Sequence, residues 1–382
     1  MKPFDVYPLI DVTPFKAAGS KIWDEQGIEY LDLYGGHAVI SIGHSHPHFT
    51  NRIKNQLDHI AFYSNSVQIP IQSELASKLG EVSGYSEYDL FLCNSGAEAN
   101  ENALKLASFD TGKKGFISFT KGFHGRTAGA VALTDNPKII APFNEHDHVY
   151  ILPFNDLEAV EKQLSQGNIA GVIVEGIQGV GGIQVPDAAF LSGLAKLTKQ
   201  YNAKLILDEV QSGYARTGKF FAHQWVENLK PDLITIAKGM GNGYPIGGVL
   251  ISPDFTASHG LLGTTFGGNH LACAAALAVL EVIESEQLEQ KALENGEWIM
   301  KELSTIEGVT AVRGKGLMIG FDMDVPAAPV RSALIHEHKI FTGSSAGKNT
   351  IRLLPPLNIE TSDLTLFLEK LKEVLKLQKS TA

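Results

Sequence analysis

Short apolar runs alternate with amphipathic stretches through the middle of the chain. Between most of the runs, apolar positions recur at helical spacing, as in Ala97–Phe109, Leu157–Ser165 and Asp187–Tyr201. Such alternation predicts an α/β fold whose mostly parallel sheet is covered on both faces by helices. The seven runs of strand length are Asp89–Cys93, Gly115–Phe119, His148–Leu152, Gly171–Glu175, Lys204–Asp208, Asp232–Ala237 and Ile246–Ser252.

The two ends of the chain have a different pattern. Residues 1–45 contain short strand-like pieces, and residues after 262 combine long helices with short strands. This predicts an N-terminal segment (1–45) that packs with a smaller C-terminal α+β domain (263–382), and a large domain (46–262) between them. The predicted elements at the ends are Lys21–Asp24, Tyr30–Leu33, Ala272–Glu284, Leu288–Thr305, Thr310–Arg313, Leu317–Asp322, Ile340–Phe341, Thr350–Leu353 and Leu364–Leu377, the last with Thr361 and Ser362 as possible caps.

Composition narrows the classes of function. The formal net charge of −10, with no run of Lys or Arg, argues against a nucleic-acid surface. No apolar run is long enough to span a membrane, and the first residues have no apolar core, so we expect neither a membrane anchor nor a signal peptide. Cys93 and Cys273 stand far apart in apolar surroundings, which favours buried thiols in a reducing cytoplasm over a disulfide or a metal pair.

Two strand ends carry candidate chemistry. One predicted strand ends in Asp208-Glu209, and the next delivers Lys238 into a glycine-rich turn. Ligands of open parallel sheets bind at the carboxyl ends of strands, where a lysine kept partly out of water becomes a usable amine nucleophile. Taken alone, Asp208 could equally cap a helix and Lys238 could be a solvated loop residue.

A resemblance supports the catalytic interpretation. The segments Leu207-Asp208-Glu209-Val210-Gln211-Ser212-Gly213, Arg216-Thr217-Gly218 and Ala237-Lys238-Gly239 resemble the signature of class-III aminotransferases, and the similarity runs nearly end to end. Within that family, the chain most resembles the branch that acts on acetylornithine or succinylornithine. These enzymes have fold type I with a seven-stranded sheet in the large domain, and they use pyridoxal 5'-phosphate (PLP). The resemblance implies that Lys238 holds PLP and moves a proton, that Asp208 pairs with the pyridine nitrogen, that Gln211 contacts the phenolic oxygen and that Glu175 belongs to the surrounding polar network.

The same resemblance implies a phosphate site. Asn94-Ser95-Gly96-Ala97-Glu98-Ala99-Asn100 follows a strand and has capping-box spacing, and helix N-termini bind anions. In the family, the positions of Ser95, Gly96 and Ala97 cradle the phosphate, and the aromatic ring at Phe123 stacks on the pyridine. The position of Thr265 reaches the phosphate of the neighbouring subunit, which implies a homodimer with shared active sites. A single Phe is otherwise as plausible in a core.

Arginines are the expected receptors of substrate carboxylates. By resemblance these are Arg126 and Arg352, although either one alone could form a surface ion pair. One position departs from the family: Val180 stands where relatives have a glutamate that neutralises the arginine at position 352, so the usual gating of that arginine is in doubt. His37 lies in a glycine-rich loop that lines the substrate channel in relatives, and could contact an acyl group.

The combined hypothesis is a PLP-dependent aminotransferase. It would convert N-acetylornithine or N-succinylornithine with 2-oxoglutarate to the N-acylglutamate semialdehyde and glutamate, in arginine biosynthesis. Near alternatives are ornithine, 4-aminobutyrate or lysine aminotransferases, or a decarboxylase or aminomutase of the same superfamily. A distant alternative, a metal-dependent hydrolase, would use His44, His46 and His48, but Pro47 breaks their spacing and we expect no metal. A non-catalytic binding protein would not require the acid, the glutamine and the lysine together.

Overall fold

The computed structural model describes residues 1–380; residues 381 and 382, the end of the predicted C-terminal domain, lie outside the described part. The strands are β1 (Pro14–Ala18), β2 (Lys21–Asp24), β3 (Glu29–Asp32), β4 (Asp89–Cys93), β5 (Gly115–Phe119), β6 (Val149–Leu152), β7 (Ile169–Glu175), β8 (Lys204–Asp208), β9 (Leu233–Ile236), β10 (Gly247–Ile251), β11 (Val309–Lys315), β12 (Met318–Met323), β13 (Ile340–Phe341) and β14 (Thr350–Leu353). The helices are α1 (Pro47–Leu57), α2 (Pro70–Ser83), α3 (Gly96–Thr111), α4 (Ala128–Ala132), α5 (Leu157–Leu164), α6 (Ala188–Gln200), α7 (His270–Ser285), α8 (Leu288–Leu303), α9 (Ala327–His336) and α10 (Thr361–Ser380).

A seven-stranded sheet forms the centre of the molecule, in the order β4-β10-β9-β8-β7-β5-β6. Only β10 runs against its neighbours, because it pairs antiparallel with both β4 and β9 while the remaining pairs are parallel. The prediction of a mostly parallel seven-stranded α/β sheet is therefore confirmed. The predicted strand ends lie within two residues of the observed ones.

Both faces of this sheet are buried, as continuous apolar strands predict. In β7, Val172 and Val174 pack into the core that also contains residues of α5 and α6. Ile173 points to the opposite face and packs with the alanine-rich side of α3. Side chains alternate along a strand, so one apolar run supplies both layers of the core.

Helix starts follow local capping chemistry. The side-chain oxygens of Ser95, Asp156 and Asn269 accept backbone N–H groups at the starts of α3, α5 and α7. The last helix begins at Thr361, so the idea that Thr361 and Ser362 precede it as caps is wrong. Thr361 instead donates its hydroxyl to the Oδ1 atom of Asn295, 3.3 Å away, which anchors the first turn of α10 on α8.

Two smaller sheets lie outside the central one. β13 pairs in parallel with β3, so the N-terminal strands form one sheet with the C-terminal part of the chain. β11, β12 and β14 form an antiparallel sheet. The boundaries at residues 45/46 and 262/263 stay predictions. The sequence analysis missed β1 and did not place α9.

Both cysteines, Cys93 and Cys273, are buried free thiols, as expected for small core residues. Among residues 1–380, no helix has both the length and the apolar character needed to cross a bilayer.

Arg216 ties three parts of the chain together beneath the site. Its side chain is buried and donates to the backbone carbonyl oxygens of Ile40 and Leu317, at 3.4 Å each, and of Pro355. Burial lowers the pKa of Arg216 to about 9, and the charge of Asp32 opposes that shift. One of the three carbonyls belongs to the N-terminal segment and two belong to the C-terminal part of the chain. The guanidinium of Arg216 therefore fixes both of these regions against the large domain.

We expect Arg216→Ala to lower the free energy of unfolding by about 3 kcal/mol or more, since buried carbonyls lose their donor and a cavity remains. Arg52→Ala is the matched control, because Arg52 forms only partly exposed ion pairs with Glu74 and Glu281 and should contribute less than about 1 kcal/mol. Urea unfolding of both variants tests this, and equal stabilities would contradict the proposed role of Arg216.

Candidate functional site

The carboxyl ends of the parallel strands meet at one edge of the large sheet. Asn94 and Ser95 follow β4, Phe123 follows β5 after a turn, and Lys238 follows β9. β7 and β8 end in Glu175 and Asp208, which are register partners. Parallel pairing therefore brings together residues that are far apart in sequence, as the strand-end argument predicts.

A cavity of about 430 Å³ opens at this edge. Nine of the predicted site residues line it: Ser95, Gly96, Ala97, Phe123, Arg126, Glu175, Asp208, Gln211 and Lys238. Val180 also lines it, while Thr265 and Arg352 are not among its lining residues.

The N-terminus of α3 forms one wall of the cavity. Ser95 caps the helix by accepting the N–H of Glu98 at 3.2 Å, whereas the N–H groups of Gly96 and Ala97 have no partner in the described chain. A Cβ at Gly96 would lie 2.6 Å from Val210 Cγ1, so glycine lets the helix start pack closely against the β8 side. Free N–H groups and the helix dipole favour an anion here. Glu98 completes only part of a capping box, since it accepts the N–H of Asn94 rather than that of Ser95.

Asp208 is held rigidly by hydrogen bonds. Its Oδ2 atom accepts from Asn100 Nδ2 at 2.8 Å and lies 2.7 Å from His124 Nδ1, and its Oδ1 atom accepts the N–H of Val210 at 3.1 Å. Burial opposes protonation of His124, but the hydrogen bond and charge of Asp208 and the charge of Glu175 outweigh it, so the pKa of His124 is raised. A protonated His124 donates this hydrogen bond to Asp208, and together with Asn100 it fixes the orientation of the carboxylate at the cavity.

Glu175 accepts the N–H groups of Phe123 at 3.0 Å and Gly179 at 2.8 Å. Burial is the main cause that raises the pKa of Glu175 to about 7, and the positive charge of His124 opposes it. Glu175 can therefore keep its proton nearer to neutral pH than an exposed carboxylate can.

Lys238 stands at a strained backbone position, with φ of 45°. Its amine has no hydrogen bond or ion pair in the described part of the chain. Burial lowers the pKa of Lys238, although the charges of Asp208 and Glu175 act in the opposite direction. A desolvated, unpartnered amine next to two acids has the properties of a nucleophile or proton carrier, not of a solvated loop residue.

The predicted arginines, Thr265 and His37 differ in their position relative to the cavity. Arg126 is exposed, and its guanidinium has no partner within residues 1–380. Arg352 is 3% exposed and donates to Gln211 Oε1 at 3.4 Å. Thr265 is exposed and away from the cavity of its own chain. His37 lies beside Lys238 and Arg352, whose charges reinforce the effect of burial in lowering its pKa.

The three alternating histidines diverge. His44 contacts Asp32 at 2.8 Å, His46 contacts Glu286 at 2.8 Å, and His48 contacts Glu281. Asp32 lies in β3, Glu281 lies within α7 and Glu286 lies at the end of α7. Each ring therefore has its own carboxylate, so the three rings do not assemble the ligand set of the hydrolase alternative. Among residues 1–380 no group of three His, Cys, Asp or Glu side chains is placed to hold a metal ion.

Sequence reasoning missed three residues of the site. Asn100 and His124 both contact Asp208, and each stands inside a motif that was recognised for other residues. Their spacing in the sequence could have indicated them. Asn100 lies about one helical turn after Gly96, and His124 directly follows Phe123. Tyr34, which accepts a hydrogen bond from Arg352, had no comparable local signal.

Comparison with known proteins agrees with this geometry. The sequence model of the "Aminotransferase class-III" family matches residues 5–375. An acetylornithine aminotransferase of Bacillus subtilis is 40% identical over 97% of both chains. Among solved structures, acetylornithine aminotransferase from Elizabethkingia anophelis has a TM-score of 0.85, 31% identity and coverage of 97% of this chain and 95% of that one. An ornithine aminotransferase from Toxoplasma gondii, described with PLP at its active site, has a TM-score of 0.90, 28% identity and coverage of 98% and 94%.

The raised pKa of Glu175 predicts a pH effect on stability. Its pKa rises from an ordinary value of 4.5 to about 7, so proton binding stabilises the fold fully below pH 4.5 and this contribution disappears as the pH rises through 7. Relative to Glu175→Gln, the wild type should therefore lose about 3 kcal/mol or less of unfolding free energy between pH 4.5 and pH 8.

Urea unfolding of cofactor-free protein at several pH values measures this difference. The amide of the Glu175→Gln variant also changes the hydrogen bonds to the N–H groups of Phe123 and Gly179. This effect on the free energy of unfolding does not depend on pH, so it does not alter the predicted trend with pH. Glu227→Gln, at an exposed position, is the control and should show no such trend. A pH-independent difference between wild type and Glu175→Gln would mean that Glu175 is ionised in the folded protein.

Proposed function

The chain belongs to the class-III aminotransferase family, and from this premise we propose that it transfers the terminal amino group of N-acetylornithine to 2-oxoglutarate. The products are N-acetylglutamate semialdehyde and glutamate, as expected for a step of arginine biosynthesis. The observation that carries this proposal is the unpartnered amine of Lys238 in the cavity with Asp208 and Glu175. Full-length similarity to acetylornithine aminotransferases supports the choice of substrate.

The cavity fits pyridoxal 5'-phosphate, the cofactor implied by the family. When bound, PLP supplies an electron-withdrawing ring that stabilises negative charge at the substrate carbon that loses its proton. The free N–H groups of Gly96 and Ala97, with the Ser95 hydroxyl, would hold the phosphate. Phe123 would cover the ring, Asp208 would pair with the pyridine nitrogen, and Gln211 would contact the phenolic oxygen.

Each polar residue at the sheet edge has a task that its surroundings favour. Lys238 would hold the cofactor through its Nζ atom, and the same atom would then carry a proton between two carbon atoms. Burial lowers the pKa of Lys238, so the amine is more readily available as a base. Asn100 and His124 orient Asp208, and Glu175 fixes the Phe123 backbone through one hydrogen bond.

Arg126 and Arg352 would bind substrate carboxylates. Arg126 lies exposed at the cavity with a free guanidinium, and Arg352 is buried nearby without an ion-pair partner among the described residues. Two cations suit 2-oxoglutarate, which has a carboxylate at each end. Val180 contributes no charge to this region, unlike the glutamate implied for relatives.

We also propose that two copies of the chain share their active sites. Phe62, Tyr63 and Phe266 form an exposed aromatic patch next to Thr265, with Phe62 and Phe266 at a ring distance of 5.3 Å. Asn65 joins the two segments by donating to the carbonyl oxygens of Thr264 and Gly267. A second copy would cover the patch and bring Thr265 to the phosphate of its neighbour. A cytoplasmic location stays a prediction from the sequence.

A substrate panel tests the proposed activity. With 2-oxoglutarate as acceptor, kcat/KM for N-acetylornithine should exceed that for free ornithine, 4-aminobutyrate and lysine by about 100-fold or more, because a site built for the acyl group leaves polar groups unpaired without it. N-Succinylornithine is tested in the same panel of amino donors. The Lys238→Ala protein is the inactive control for every donor. Preference for a free diamine or for 4-aminobutyrate would overturn the substrate assignment.

The shared-site proposal predicts a dimer in sedimentation velocity, with twice the chain mass of 41.3 kDa. Phe266→Glu should dissociate it, since a buried unpaired carboxylate is costly, and should weaken PLP binding because Thr265 is withdrawn. Phe109→Glu changes another exposed phenylalanine, far from the patch in sequence, and should leave the dimer intact. A Phe266→Glu protein that remains dimeric would rule out the patch as the interface.

A further inference from the structure

The guanidinium of Arg352 is surrounded by neutral acceptors. Its Nε atom donates to the Ser344 carbonyl at 2.5 Å, Nη1 to Gln211 Oε1 at 3.4 Å and Nη2 to the Tyr34 hydroxyl at 3.2 Å. It also lies over the Tyr34 ring, 5.7 Å from the centroid. No carboxylate forms an ion pair with Arg352 within residues 1–380, so its charge is oriented but not neutralised.

The hydrogen bonds around Arg352 close into a ring through His37. Arginine only donates, so Tyr34 accepts from it and has its own O–H free to donate to His37 Nδ1, 2.5 Å away. Gln211 must present Oε1 to Arg352, because its Nε2 atom donates to the His37 carbonyl at 3.1 Å. Burial raises the pKa of Tyr34 and lowers that of His37, which matches a neutral donor and a neutral acceptor.

An unusual backbone turn holds His37 in this ring. Four consecutive residues, Gly35, Gly36, His37 and Ala38, have positive φ, with 71° at His37 and 64° at Ala38. Such conformations are disfavoured for residues with a Cβ, and they persist where surrounding contacts impose them. The side chain and the carbonyl of His37 both take part in the ring, so the turn serves the Arg352 environment.

Residue 180 lies beside this ring and brings no charge to it. A Cβ atom added to Gly179, the residue before Val180, would lie 1.8 Å from Gln211 Oε1. The backbone next to Val180 therefore packs against the oxygen atom that accepts a hydrogen bond from Arg352. The carbonyl of Val180 accepts from Ala346 N at 3.1 Å, two residues after Ser344. Val180 thus adjoins the Arg352 surroundings from two directions.

The proposed function, on which this inference rests, sets opposite demands on Arg352. N-Acetylornithine has no carboxylate next to its reacting carbon, whereas 2-oxoglutarate has one there. The guanidinium must therefore be satisfied without an anion in the first half-reaction and be free to bind one in the second. Neutral acceptors meet both demands, because they stabilise the cation without competing with a substrate carboxylate for its charge.

We propose that Tyr34 and His37 are positioning residues that determine specificity, and that with Gln211 they hold Arg352 ready for the carboxylate next to the keto group of the acceptor. The residues act through Arg352 and do not touch the reacting atoms.

The test combines steady-state kinetics with equilibrium binding of glutarate, a dicarboxylate with no keto group, to the holoenzyme. Tyr34→Phe should raise KM for 2-oxoglutarate and Kd for glutarate about tenfold, while kcat and KM for N-acetylornithine change less than about twofold. His37→Asn, which tolerates positive φ, should act in the same direction with about a threefold effect. Tyr201→Phe removes an exposed tyrosine hydroxyl elsewhere and should change none of these values.

A second pair of variants tests the neutral surroundings independently of Tyr34 and His37. Val180→Glu offers a competing carboxylate, so Kd for glutarate should be about tenfold higher than in the uncharged match Val180→Gln. Equal Kd values for glutarate in Val180→Glu and Val180→Gln would overturn the proposal. It would also be overturned if Tyr34→Phe had the same KM for 2-oxoglutarate and the same Kd for glutarate as Tyr201→Phe. A Tyr34→Phe variant whose KM values for 2-oxoglutarate and N-acetylornithine rise equally would contradict it as well. Glutarate binding needs no turnover, so a wild type inactive on N-acetylornithine would refute the proposed function and still leave this inference tested.

Discussion

Withdrawal of ionisable groups from water at one edge of the large sheet is the constraint on which the site depends. That edge holds Lys238, Asp208 and Glu175, because the parallel strands all end there. Burial of an ionisable side chain costs free energy unless the group is paired or neutral. Each responds differently: the Lys238 amine is left without a partner and with a lowered pKa, Asp208 is held by Asn100 and His124, and the pKa of Glu175 is raised to about 7. Three ionisable side chains are therefore buried together in one cavity, at a cost to the stability of the fold.

The parts of the molecule that lie far from the sheet complete this arrangement. Arg216 fixes the N-terminal segment and C-terminal backbone beneath the cavity through three carbonyl oxygens. The same two regions then supply Tyr34 and Arg352, which meet beside Gln211 in the turn after β8. In the proposed function, the sheet edge would hold the cofactor and the segments packed on it would bind the substrate.

The central sheet and most of the cavity could be predicted because their signals are local. Apolar runs that end in Asp208 or Glu175 mark both the strand and its carboxyl end, and the Ser95-Gly96-Ala97 turn marks a helix start. The roles of Arg126, Arg352 and Thr265 came from resemblance, since no local pattern distinguishes them. The contact between Tyr34 and Arg352 joins residues 318 positions apart, and periodicity carries no information about such a pair. The start of α10 was misplaced because the apolar periodicity begins only at Leu364, whereas the helix already begins at Thr361.

The covalent attachment of an aldehyde cofactor to Lys238 is the central claim, and borohydride reduction followed by peptide mass spectrometry tests it most directly. Purified protein should absorb visible light before reduction and lose that band afterwards, and the peptide containing Lys238 should carry the added mass of reduced PLP. A protein with no visible chromophore when supplied with PLP, or an adduct confined to another lysine, would contradict the account.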